Sequence, residues 1–223
     1  MKKYLIIILI VPILSFSQSG GTAILSINNG TININSSYLD SQYDDPDVLS
    51  LPYTGIDPIP VTVGNTSYVV KTAKFTGLGW DGEPGYYVIE ISINNQIKFV
   101  HKQNAGLTYL NDGGYGSRLN QYADSGNNSF IKVPLSNEAT ALIFLGWPYA
   151  NDPCQLLILV LTATDVKVVY NMPMNINSIT QSGFNFSMIT QSNVLEWSPN
   201  GGYQGTPITH TIYQQNGVLF LKI

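Results

Sequence analysis

Along most of the chain, apolar and polar residues alternate with a period of two in short runs separated by Gly, Asn, Asp, Ser and Pro. Such alternation places successive side chains on opposite faces of a strand, one toward a core and one toward water. The runs TAILSIN (Thr22 to Asn28) and TINI (Thr31 to Ile34) flank Asn29-Gly30, a pair suited to the positive backbone angles of a two-residue hairpin. YYVIEISI and QIKFVH flank Asn94-Asn95 in the same way, and ITHTIYQQ and VLFLKI flank Asn216-Gly217. SYVVKTAKF, FIKV, TALIFLG, LLILVLTA, VKVVY, FNFSMI and VLEW complete the series. Beyond the N-terminal segment no stretch sustains an apolar 3.6-residue period over three turns, so helical crossovers are not expected. The pattern predicts an all-β chain, an antiparallel β-sandwich or jelly roll with long loops.

Two runs break the alternation, ALIFL and LLILVL. They are too apolar to have a wet face and are expected as central strands covered on both sides, or at a sheet or subunit contact. Two other segments resist assignment. Ser36 to Pro60 carries Pro46, Pro52, Pro58 and Pro60 and reads as a long irregular connection. Asn171 to Gly183 is polar, with Pro173 inside it, and reads as a break. The tail of about 40 residues beyond it is too small for its own core, so residues 18–223 are expected to form a single β-sandwich domain.

Residues 1–17 have the layout of a secretory signal peptide: Lys2 and Lys3, an apolar run from Leu5 to Leu14, then Ser15 and Ser17. The run is too short to span a bilayer, and its style resembles export signals of Gram-negative bacteria. The expected location is secreted or at the cell surface, with no membrane insertion after cleavage. Removal of the leader takes Lys+Arg from 10 to 8 against 14 Asp+Glu, which leaves no basic footprint for nucleic acid. Cys154 is the only cysteine, so no intrachain disulfide forms. It precedes an apolar run and reads as a small buried hydrophobe rather than a reactive thiol. A surface rich in Asn, Gln, Ser, Thr, Gly and Tyr and poor in charge suits neutral polar partners, a glycan or an extracellular protein, and also self-association.

Catalytic sets are sparse. Asp40, Asp44, Asp45 and Asp47 crowd one loop as hard oxygen donors, a candidate calcium site without the spacing of an EF-hand; no other cofactor is suggested. His101 and His210 are the only histidines, and no Gly-x-Ser-x-Gly turn is present, so zinc and serine-triad chemistry are poorly supported. On alternation His210 shares a face with Ile208 and Ile212 and is expected to be a satisfied, half-buried residue. In YYVIEISI, Tyr87, Ile89, Ile91 and Ile93 form the core face, which turns Tyr86, Val88, Glu90 and Ser92 toward a cleft or solvent. A glycosidase needs a second carboxylate there, from Glu83, Glu138 or Glu196.

YYVIE resembles the nucleophile strand of the small jelly-roll xylanases, and GGYQG resembles their acid/base strand. The chain departs from that family where it matters, because Gly85 and Gly201 stand at the two carboxylate positions. The resemblance therefore implies a shared sandwich vocabulary and no xylanase chemistry. NGVLFLKI is similar to the last strand of sorting domains recognised by the type IX secretion pathway.

Aromatic residues beside turns offer a binding surface instead. Trp80, Trp147 and Trp197 each sit beside turn residues, and the segment from Tyr109 to Asn128 adds Tyr115, Tyr122 and the only arginine, Arg118. Rings on loops stack on sugar faces while amides and carboxylates bond hydroxyls. The candidate ligand residues are Trp80, Tyr86, Glu90, Tyr115, Arg118, Tyr122 and Trp147. The expected function is a secreted noncatalytic β-sandwich that binds a glycan or another polar extracellular partner. The alternatives are a structural subunit of a surface or filamentous assembly, and a glycoside hydrolase built on Glu90.

Overall fold

The computed structural model describes residues 20–39, 46–76, 86–107, 130–147, 155–195 and 202–223. The strands are β1 (Thr22–Ala23), β2 (Leu25–Asn28), β3 (Thr31–Ile34), β4 (Tyr53–Val63), β5 (Thr66–Phe75), β6 (Tyr86–Ile93), β7 (Gln96–Leu107) and β8 (Ile131–Ser136). They continue with β9 (Ala139–Trp147), β10 (Gln155–Thr162), β11 (Val166–Pro173), β12 (Asn175–Ser182), β13 (Asn185–Leu195), β14 (Gly202–Gln215) and β15 (Val218–Lys222). A 3-10 turn at Ser36–Tyr38 and one helical turn, α1 (Pro46–Leu49), are the helical elements among the described residues. The architecture is an all-β sandwich of antiparallel sheets that do not close into a barrel.

One sheet runs β1-β15-β14-β13-β12, a second runs β11-β10-β9-β7-β6-β5-β4 with β8 also on β9, and β2-β3 form a separate hairpin. β9 is the seam of the large sheet. It pairs with β10 along its length, with β8 over Ala139–Ile143, and with β7 only at Gly146 and Trp147. From that narrow junction β4–β6 fold back over β9 and β10. Val61, Tyr68, Val70, Ile89 and Ile91 then meet Leu142, Phe144, Leu157, Leu159 and Leu161 in one core. The opposite face of the same central strands, including Ile143, Leu156, Ile158 and Val160, meets Ile176, Ile179, Met188, Ile212 and Leu221 of the five-stranded sheet.

The two unbroken apolar runs are thereby explained. Every residue of β10 is buried, because alternate side chains feed different cores. Each fully buried Leu or Ile contributes about 1.5–3 kcal/mol through removal from water.

Turn chemistry follows the amide and glycine positions. Asn29 and Gly30 have φ of 50° and 79°, Asn94 and Asn95 of 50° and 63°, and Asn216 and Gly217 of 53° and 78°. Asn tolerates this left-handed region better than other side chains, and Gly enters it freely. The β2-β3 hairpin is held to the β10-β11 turn by side chains that imitate a neighbouring strand. Asp165 Oδ2 accepts from Ile32 N at 3.0 Å, and Lys167 Nζ donates to Ile32 O at 2.7 Å.

Two strands lie in segments that lacked a strand pattern. β4 occupies Tyr53–Val63, where prolines suggested an irregular connection. It is the last strand of its sheet and is bulged between Ile56 and Ile59, so Pro58 and Pro60 sit where a missing N–H is tolerated. β12 occupies the polar stretch after Pro173 and is likewise an edge strand, with Ile176 and Ile179 inward and Ser178 and Thr180 outward. The apparent break at Pro173 is the crossing from one sheet to the other.

Leu157→Ala would empty a fully buried site between two layers that cannot collapse independently. The expected loss is about 2–5 kcal/mol, measured as a lower denaturant midpoint at unchanged slope.

Candidate functional site

Glu90 lies on β6 opposite Lys71 of β5 and Val100 of β7. Its side chain is only 12% exposed, with Oε1 3.6 Å from Lys71 Nζ and Oε2 accepting from the Tyr53 hydroxyl at 3.2 Å. Burial, and then the nearby Glu90 charge, push the Tyr53 hydroxyl above its ordinary value. At neutral pH the Tyr53 phenol is therefore protonated and donates to Glu90. The surrounding face is covered rather than open: Ala73, Phe75 and Val88 are buried, and Leu49, Leu51 and Tyr53 pack on them. Lys102 fastens this cover, donating to Leu49 O at 2.8 Å, with its ammonium 5.3 Å from the Tyr53 ring centroid and 5.9 Å from that of Phe75. Glu90 thus ties three strands together under the chain around α1.

The other candidate residues are placed as follows. Tyr86 opens β6, with its Cα in register with Leu107, and Trp147 closes β9 in register with Gly106; the side chains of Tyr86 and Trp147 lie outside the described residues. Trp80, Tyr115, Arg118, Tyr122, Cys154 and Trp197 also lie outside them. Asp47 is exposed on α1, whereas Asp40, Asp44 and Asp45 lie outside the described residues. Among the described residues no group of three or more His, Cys, Asp or Glu is placed to hold a metal, and no helix is long and apolar enough to cross a membrane. Glu138 is exposed on the β8-β9 turn, while Glu83 and Glu196 lie outside the described residues.

The strand ends carry the most information about these segments. Tyr86 pairs with Leu107, Leu107 with Gly146, Gly146 with Gln155, and Gln155 with Pro173, so one row crosses the large sheet. Tyr53 pairs with Phe75 at the same end of β4 and β5. Segments 77–85 and 148–154 are bracketed by strand ends at this row, and 108–129 follows Leu107 on the row and precedes β8, whose Ile131 pairs with Ile143. β12 begins just beyond Pro173 with Asn175 opposite Gln191, and a little further along β13 Leu195 and Gly202 bracket 196–201. The opposite ends of the large-sheet strands close through short turns such as Asn94-Asn95 and Asn137-Glu138.

Buried polar groups that alternation did not single out lie on or near this row. Gln155 is fully buried and donates from Nε2 to Asn171 Oδ1 at 2.7 Å, and Gln103, 1% exposed, meets His101 Nε2 at 3.0 Å. The sequence signal was an amide leading directly into LLILVL. His210 lies on the inner face of the five-stranded sheet, opposite Thr190. Its Nε2 is 3.0 Å from Ser192 Oγ, but Nδ1 and the Thr190 hydroxyl are buried without partners. The histidine is therefore more buried and less satisfied than alternation implied. Ile208 is 42% exposed, so of its two expected companions only Ile212 is buried. Burial holds the imidazole below its ordinary pKa near 6.5.

The chain matches no protein-family model, and comparison with curated proteins and with solved structures likewise finds no match.

Removing the charge in Glu90→Gln leaves Lys71 unmatched at a partly exposed site. A loss of about 0.5–1.5 kcal/mol is expected from thermal melts, with the fold retained. For His210 the folded state favours the neutral ring. Stability should be at its full value above pH 6.5 and should decline as pH falls from there through the lower folded-state pKa. Comparing Tm against pH for the natural chain and His210→Gln checks this, since the variant should lack that part of the acid decline.

Proposed function

We propose that this chain is an exported, noncatalytic β-sandwich that binds a polar extracellular partner, a glycan in the first instance. The supporting observation is the single row of strand ends from Tyr86 to Pro173, which brackets the segments rich in Trp, Tyr, Asn and Asp. A rigid scaffold that gathers polar and aromatic connections at one end, and short turns at the other, is a common way to build a recognition surface. Trp80, Tyr115, Arg118, Tyr122 and Trp147 supply the contacts in this reading, rings against sugar C–H faces and polar groups against hydroxyls. Glu90 is assigned a structural role, since both of its carboxylate oxygens are engaged by Tyr53 and Lys71. The export leader at 1–17 and the low charge fit a partner outside the cell.

A glycan array probed with the chain lacking residues 1–17 tests the proposal. Trp80→Ala and Tyr115→Ala should each weaken the strongest hit by about ten- to a hundredfold while leaving thermal stability unchanged. No binding across the array, or variants that bind like the natural chain, would overturn it.

A further inference from the structure

The outer face of the five-stranded sheet is poor in charge and rich in hydroxyls. One row across it reads Thr180, Ser187, Tyr213, Phe220 and Ala23, in direct cross-strand register. The next reads Ser178, Ile189, Thr211 and Lys222, followed by Gln191 beside Thr209. The Tyr213 and Phe220 rings lie nearly parallel, 18° apart in plane and 5.5 Å between centroids. Ser178, Thr180, Thr209 and Lys222 are exposed, and Ile189 is 40% exposed, so these rows face solvent.

In a chain with 14 acidic residues, no carboxylate stands on these rows, and Lys222 is their one ionised group. The outer face of β5–β7 is built differently, with Lys71, Glu90 and Lys102 under the α1 segment. An ionic partner would find only Lys222 to pair with on these rows. An apolar partner would bury their hydroxyls and amides without hydrogen bonds, at a cost for each group. An uncharged polymer dense in hydroxyls answers both features, exchanging hydrogen bonds with Ser, Thr and Gln and laying C–H faces against the ring pair.

We infer that this face is a second contact surface, separate from the row of strand ends, and that its ligand is a neutral polysaccharide presented as an extended chain or a flat surface. The inference rests on the glycan reading of the proposed function, but it places contact on different residues.

The test is retention on insoluble cellulose, chitin and starch by three proteins lacking residues 1–17: the natural chain, Thr180→Glu with Thr209→Glu, and Lys98→Glu. Lys98 is exposed on β7 in the other sheet, and its substitution makes the same change in net charge. Melting curves verify that all three are folded. The expected result is retention of the natural chain and Lys98→Glu, with about a tenfold or greater loss for the Thr pair, because carboxylates would be desolvated against an uncharged ligand. If the natural chain is retained and the Thr pair is retained equally, the platform is overturned while glycan binding stands. If none of the three polysaccharides retains the natural chain, although the array finds a ligand sensitive to Trp80→Ala, the platform alone is overturned. Sedimentation showing a dimer that the Thr pair dissociates would reassign the face to a second copy of the chain and overturn the inference.

Discussion

β9 and β10 lie between two apolar layers, and the rest of the molecule is arranged around that fact. A strand with no wet face must pair its backbone groups within the sheet and supply apolar side chains in both directions. β10 meets the second demand with an unbroken run, and β9 does so through Ala141–Leu145. The narrow β7–β9 junction lets β4–β6 turn back over this pair instead of extending a flat sheet. The five-stranded sheet closes the other side through Ile179, Met188, Ile212 and Leu221. Without a disulfide, this double burial is the main source of stability available to the described chain.

The central pair also fixes an asymmetry between the two ends. At one end the strands reverse through Asn and Gly in tight turns, which demand positive φ and little else. At the other they open into long connections, and amides rather than aliphatic groups occupy the buried margin at Gln103, Gln155 and Asn171. Gln155 and Asn171, bonded to each other across β10 and β11, hold those strand ends together without extending the apolar core. An end of this kind keeps its anchor points fixed while its connections vary in sequence.

Legibility in the sequence followed the strength of each physical signal. Hairpins at Asn29-Gly30, Asn94-Asn95 and Asn216-Gly217 were readable because few residues accept those backbone angles. The double-sided strands were readable because LLILVL, in an otherwise alternating chain, leaves no side for a wet face. β4 and β12 were not, because edge strands tolerate proline and carry polar residues on the open face, which erases the contrast on which alternation depends. The proposed binding segments could be named from composition, but only cross-strand register reveals that they leave the scaffold from one end.

Glu90 shows where a period of two stops being informative. Alternation assigns it correctly to the face opposite Ile89 and Ile91, yet it cannot say what lies against that face. Here the cover comes from Leu49, Leu51 and Tyr53, far away in sequence and in a segment whose prolines hid its strand. A carboxylate that looks outward from the core is then drawn into a tie with Tyr53 and Lys71, and Lys102 locks the cover in place. The outer rows of the five-stranded sheet show the converse: Ser178, Thr180 and Thr209, with Lys222 as the one basic side chain, meet the solvent. Of the two outward faces, the one with Lys71, Glu90 and Lys102 is tied into the fold, and the one with Ser178, Thr180 and Thr209 stays exposed.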